Sequence, residues 1–166
     1  EGSILVATAD GKGVPMRREQ SEDQKRGQKR LTKGQKKNKK RQACVGAVYT
    51  IDPFRRTAAD IVNEIRRQRR SEQRPSPCHK HVRAELTRLI DGVEVNGKDL
   101  TFTWLAQEAS LRNLDGTRPL VCLMDGDRAL WAMQEEYLPE AIGILDLFHV
   151  LERLWAAAHC FHREGS

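Results

Sequence analysis

At 166 residues the chain is sized for a single domain, 1–166, and its 39% apolar content suffices for one core. No stretch approaches the roughly 18 uninterrupted apolar residues that span a bilayer, and the first residues lack the basic-then-apolar layout of a secretory leader, so a cytoplasmic protein with no membrane contact is expected. The formal charge of +6 is unevenly spread: residues 17–42 hold twelve Lys or Arg against three acids, which leaves the rest of the chain at −3.

A near-neutral body carrying one basic segment points to a polyanionic partner, because each Lys or Arg placed on a phosphate releases condensed counterions. The plainer alternative is a solvated loop. Lys36, Lys37, Lys39, Lys40 and Arg41 are the densest cations of this segment and the candidate nucleic-acid contacts. Cys44, Cys78, Cys122 and Cys160 lie tens of residues apart with no CxxC pair, so reduced and mostly buried thiols are expected.

In chain order, residues 3–9 (SILVATA) read as a buried strand, and the following Asp10, Gly11, Lys12 and Gly13 as a turn. The basic segment has no apolar period. Residues 43–51 (ACVGAVYTI) predict a second strand closed by Asp52 and Pro53, after which residues 54–56 could form a short third one, giving an antiparallel start. Thr57 with Asp60 three residues on has the form of a capping box, and Ala58, Ile61, Val62 and Ile65 repeat at helical spacing.

An Arg-rich exit and the breaker RPSPC follow this helix. Val82, Leu86, Leu89 and Ile90 predict another amphipathic helix, and Leu100, Trp104, Leu111 and Leu114 a third, both packing on the core. The continuous apolar run PLVCLM at 119–124 predicts a strand buried on both faces. Ala129, Leu130, Met133 and Tyr137 give a helix ended by Pro139, then residues 141–145 (AIGIL) a strand. This βαβ unit implies two parallel strands with a right-handed crossover. Leu151, Leu154, Trp155, Ala158 and Phe161 line a last helix, with Trp131 and Trp155 read as core.

Three predicted strands run into an aspartate: Asp10, Asp125 and Asp146. Ligands gather at the carboxyl ends of parallel strands, so strand-terminal carboxylates converge even when distant in sequence. Facing carboxylates repel unless cations neutralise them, and hard oxygens select Mg²⁺ or Mn²⁺. Two such ions about 4 Å apart would serve displacement at phosphorus. Asp followed by Gly after a strand is also ordinary turn chemistry.

Four strings in the same order, TADGKGVPMRRE (residues 8–19), VGAVYTIDPFRRT (45–57), LVCLMDGDRALW (120–131) and GILDLFHVLERLWAAAHCFHREGS (143–166), resemble bacterial insertion-sequence DDE transposases of the ISKra type. The four strings are spread from residue 8 to residue 166. It implies a ribonuclease-H-like α/β fold, a mixed sheet whose first strands are antiparallel and whose later strands are parallel, flanked by helices. It further implies DNA cleavage and strand transfer with Asp10 and Asp125 as catalytic metal ligands for two Mg²⁺ or Mn²⁺ ions. Transposon ends and target, both double-stranded DNA, would be the partners, with a possible homo-oligomer as the full-length form.

The family's third catalytic residue is a glutamate on a later helix beyond an inserted helical region, and a DNA-end-recognising region lies upstream. No residue here matches that glutamate, and Glu152 and Glu164 read as surface acids, so the chain is expected to be a central fragment truncated at its C-terminus. The basic insertion at 17–42 is longer and more Lys-rich than the fold leads one to expect. The missing glutamate also leaves open a non-catalytic nucleic-acid-binding remnant or domesticated domain, and another ribonuclease-H-like nuclease is the third alternative.

Asp146 and His149 resemble the family's D-x-F-H block. They are candidates for an accessory role beside the metal, against helix capping and a structural histidine as the simpler reading. His159, Cys160 and His162, and likewise Cys78, His79 and His81, lack a zinc spacing and read as incidental.

Overall fold

The computed structural model describes residues 2–16, 40–66 and 74–163. Among these, seven strands and four helices follow in the order β1 (Ile4–Pro15), β2 (Lys40–Ile51), α1 (Ala58–Ile65), β3 (Cys78–Leu86), β4 (Arg88–Ile90), β5 (Val93–Val95), α2 (Gly97–Arg112), β6 (Leu120–Met124), α3 (Arg128–Tyr137), β7 (Ile142–Leu145) and α4 (Leu147–Ala158). Five strands form one sheet in the order β3-β2-β1-β6-β7. β1 pairs antiparallel with β2 and parallel with β6, β2 antiparallel with β3, and β6 parallel with β7. The fold is α/β, a mixed sheet in a ribonuclease-H-like arrangement. No helix among the described residues is long and apolar enough to cross a membrane.

Alternation along the strands decides which side chains meet the helices. Leu5, Ala7 and Ala9 of β1, Cys44 and Val48 of β2, and Leu120, Cys122 and Met124 of β6 join Phe102, Leu105 and Ala109 of α2 and Leu130 of α3 in one buried cluster. Helix α2 lies close because Gly46 has no side chain: a Cβ there would sit 2.8 Å from Thr101 Cγ2 and 3.2 Å from Leu105 Cδ2. The opposite face of the sheet is less covered, with Val121 and Leu123 half-buried and Ile142 and Ile144 exposed. β6 is therefore dry on one face only, not on both as its apolar run suggests.

The capping box at Thr57 is present, with Thr57 N donating to Asp60 Oδ2 at 2.9 Å and Asp60 N to Thr57 Oγ1 at 3.2 Å. Residues 54–56 form no strand, and 40–42, expected as part of the basic loop, belong to β2. The expected helix over Val82, Leu86, Leu89 and Ile90 is instead β3 followed by the β4–β5 hairpin. Val82, Ala84 and Leu86 also repeat with period two, and Asp91 (φ 52°) with Gly92 (φ 80°) makes the two-residue turn of that hairpin. Both residues take positive φ, as in a type I′ turn.

The face of α2 also differs from expectation. Thr101, Phe102, Leu105 and Ala109 are its buried residues, while Leu111 and Leu114 are exposed. Helix α4 buries none of its side chains, so Trp155, 63% exposed, is not core. Trp131 does pack against the core. Cys44 and Cys122 are buried free thiols, whereas Cys78 and Cys160 are exposed. Burial pushes the Cys122 thiol up to about 12, which leaves it uncharged and unreactive at neutral pH.

Candidate functional site

Strand β1 does not end at Asp10 in a turn, as the Asp-Gly step suggests. It continues to Pro15, because β2 supplies partners as far as Pro15↔Lys40, and Asp10 itself lies opposite Val45. What ends near Asp10 is the parallel pairing with β6, whose last pair is Ala9↔Met124. One residue beyond that pair stand Asp10, still in β1, and Asp125, just past the end of β6. The β6–β7 pairing ends at Met124↔Leu145, so Asp146 likewise follows the last pair, its N–H donating to Met124 O at 2.8 Å. Ala9 and Met124 face the helix-packed core, and the pleat turns Asp10 to the other face.

The three carboxylates are engaged differently. Asp10 is exposed and has no hydrogen bond or ion pair among the described residues. Asp125, with its side chain 22% exposed, accepts the Asp127 N–H on Oδ1 at 2.8 Å, while its backbone carbonyl accepts Trp131 Nε1 at 2.7 Å. Its other oxygen, Oδ2, is 3.8 Å from His149 Nε2. Asp146 is committed to capping α4, accepting the Phe148 N–H at 3.0 Å. His149 also stands 3.6 Å from Glu152 Oε2 through Nδ1, and Glu152 is 75% exposed, as a surface acid should be.

A fourth carboxylate, Asp127, escapes the sequence reading. It caps α3 through Ala129 N at 2.9 Å and pairs with Lys98 Nζ at 3.2 Å. The Ala129 N–H holds its carboxyl below the usual range, helped by the Lys98 ammonium. A Cβ at Gly11 would come 4.0 Å from Asp127 Oδ2, so this side chain reaches β1. Burial raises the Cys44 thiol beneath; Thr101 and Lys98 oppose the rise, whereas the Asp10 and Asp127 carboxylates add to it. An Asp immediately before a helical stretch is a capping signal, and it was the available clue to Asp127.

Among the described residues, no group of three or more His, Cys, Asp or Glu is gathered to hold a metal ion. The Asp10 and Asp125 pair nevertheless suits Mg²⁺, which takes one or two protein carboxylates and completes its shell with water and substrate phosphate.

Of the candidate DNA contacts, Lys36, Lys37 and Lys39 lie outside the described residues, as does Glu164. Lys40 begins β2. Arg41 is exposed and opposite Val14. Register and pleat put Arg41, and Lys12 opposite Ala43, on the same face of the β1–β2 ribbon as Asp10. Lys12 was not among the residues the sequence singled out. Compared with protein-family models, with curated proteins and with solved structures, the chain matches none.

Proposed function

We propose that the chain is the catalytic core of a DDE-type DNA transposase of the ISKra type, in which water or a DNA 3′-hydroxyl attacks a phosphodiester beside Asp10 and Asp125. The observation that carries this reading is the place of the two aspartates directly after the last pair of neighbouring parallel strands, with Asp10 unengaged by any described residue. Two carboxylates one strand apart repel, and a fold keeps such a pair when a cation is to be held there. Bound Mg²⁺ or Mn²⁺ would supply Lewis-acid polarisation of the phosphoryl oxygen and a more acidic attacking hydroxyl.

The chain's own groups supply the geometry. The Asp127 N–H on Oδ1 and the Trp131 indole on the carbonyl fix the rotamer and backbone of Asp125, leaving Oδ2 toward the groove. Lys12 and Arg41 flank Asp10 on its own face with exposed cations suited to strand phosphates. The same reading makes the protein cytoplasmic, its partners transposon ends and target duplex, and its working form a homo-oligomer.

Thermal unfolding with millimolar Mn²⁺ or Mg²⁺ tests the metal pair. The wild-type chain should gain a few degrees, since a ligand at about 100 times its Kd stabilises by about 2.7 kcal/mol. Asp10→Asn and Asp125→Asn should each abolish the gain, and Asp10→Asn should raise the metal-free midpoint by removing repulsion. A wild-type midpoint indifferent to both ions sinks the proposal. The basic segment at 17–42 supports a second reading, a non-catalytic nucleic-acid-binding module. DNA affinity would then be untouched by Asp10→Asn, and lost when the basic segment at 17–42 is neutralised.

A further inference from the structure

Between the β6–α3 turn and α4 lies a groove of about 470 Å³, whose lining includes Asp125, Asp127, Leu145, His149, Arg153 and Leu154. Its charges are segregated. The turn supplies the two acids, and α4 supplies His149 and Arg153, which at four residues' spacing share one face of the helix. Its size falls among small-molecule sites, roughly 300–1,000 Å³. A metal ion alone would leave most of it empty.

Arg153 combines an uncommitted guanidinium with a place in the groove lining. Arg56, Arg74, Arg83, Arg88 and Arg112 are each paired with a glutamate. Arg153 lines an acidic groove yet makes no hydrogen bond or ion pair with any described residue. A guanidinium left unengaged beside carboxylates keeps its planar fork for an oxyanion, and phosphate accepts that fork in bidentate fashion. Leu145, Val150 and Leu154 offer apolar wall to a sugar and base.

We infer that Arg153 is a positioning residue that grips the phosphate of a DNA nucleotide seated in this groove, and so aligns the strand in front of Asp125. The inference deepens the proposed transposase reading and rests on it for the identity of the strand. Asp125 lines the groove from the β6–α3 turn and Arg153 lines it from α4, so a nucleotide held by Arg153 would lie in the same groove as the Asp125 carboxylate.

The test is fluorescence anisotropy of a short fluorescein-labelled single-stranded DNA with the full chain in Mn²⁺, repeated across a salt series. Arg153→Gln should weaken binding about 10-fold and lower the salt slope by about one, while Arg153→Lys restores part of the affinity by returning charge without the fork. Arg55→Gln, beyond the far end of β2, should change affinity less than about 2-fold by comparison. The Mn²⁺-induced thermal shift should survive in Arg153→Gln. Unchanged DNA affinity in Arg153→Gln overturns the inference, as does an equal loss in Arg55→Gln. Should wild type show no Mn²⁺ shift while Arg153→Gln still loses DNA, the phosphate grip stands and the transposase reading falls.

Discussion

The two faces of the five-stranded sheet are built from similar residues but carry different duties. On one, Leu5, Ala7, Ala9, Cys122 and Met124 are sealed beneath Phe102, Leu105 and Leu130. On the other, Val6, Ala43 and Ala47 are buried over β1 and β2, but toward β7 Val121 and Leu123 are only half-buried, Ile142 and Ile144 are exposed, and the carboxylate of Asp10 emerges. The sealed face fixes the register, since slipping β1 by one residue would carry Asp10 into the apolar cluster and expel Ala9. The open face inherits that register at its rim, where Asp10 and Asp125 follow the last β1–β6 pair. Apolar packing on one side thus decides which side chains stand at the rim of the other.

The sharpest way to break this contrast is Phe102→Ala. Phe102 is fully buried, 6.2 Å from the Tyr137 ring between centroids. Its loss should cost about 3–5 kcal/mol in urea unfolding. A cost below about 1 kcal/mol would show that α2 does not seal the sheet.

A smaller effect is expected where a polar tie closes the edge of the sealed side. Glu85, at the end of β3, is buried between Arg83 and Arg88, whose guanidinium groups both bond its carboxylate. The hydrogen bond from Arg88, with that from Arg83, holds the carboxyl below the usual range. A depressed carboxyl stabilises above its unfolded value, about 4.3, and loses that stabilisation as pH falls through its folded value. Glu85→Gln should therefore cost about 1 kcal/mol at pH 7, since both arginines are partly exposed to screening solvent, and progressively less below about pH 4. Equal costs at pH 7 and pH 3 would discount the charge.

The smallest effect belongs to α4. Trp155 stacks on His159 with ring centroids 6.1 Å apart, but is otherwise largely exposed. Trp155→Ser should move the unfolding free energy by no more than about 0.5 kcal/mol. A cost near that of Phe102→Ala would mean that α4 packs as the sealed face does, and would erase the contrast.

Elements whose cause is local were legible. Thr57 and Asp60 cap α1 with groups three residues apart, and the apolar run of β6 needs no distant partner to be recognised as a strand. β3 was misread because an exposed edge strand has little burial to sharpen its period: Val82 and Leu86 suit a helix as well as a strand until β2 pairs with them. The β4–β5 hairpin has its own signal in Asp91 and Gly92, but Leu89 and Ile90 also fit the helical spacing that ends just before them. For Asp10, the Asp-Gly step argued for a turn, and twelve residues of β2 overruled it. The apolar stripe of α4 is real, but a stripe does not reveal whether anything covers it.

By itself, the order of residues determined the cap of α1, the βαβ unit and the three aspartates that follow apolar runs, because each depends on neighbours within a few positions. Only the tertiary structure decided that β6 inserts between β1 and β7, that Asp10 and Asp125 both follow the last β1–β6 pair, and that Arg153 and the acidic turn line one groove. Those facts depend on which distant strands pair. That choice is made by the summed burial of the whole sheet against the entropy of closing long loops, which no short stretch of sequence contains.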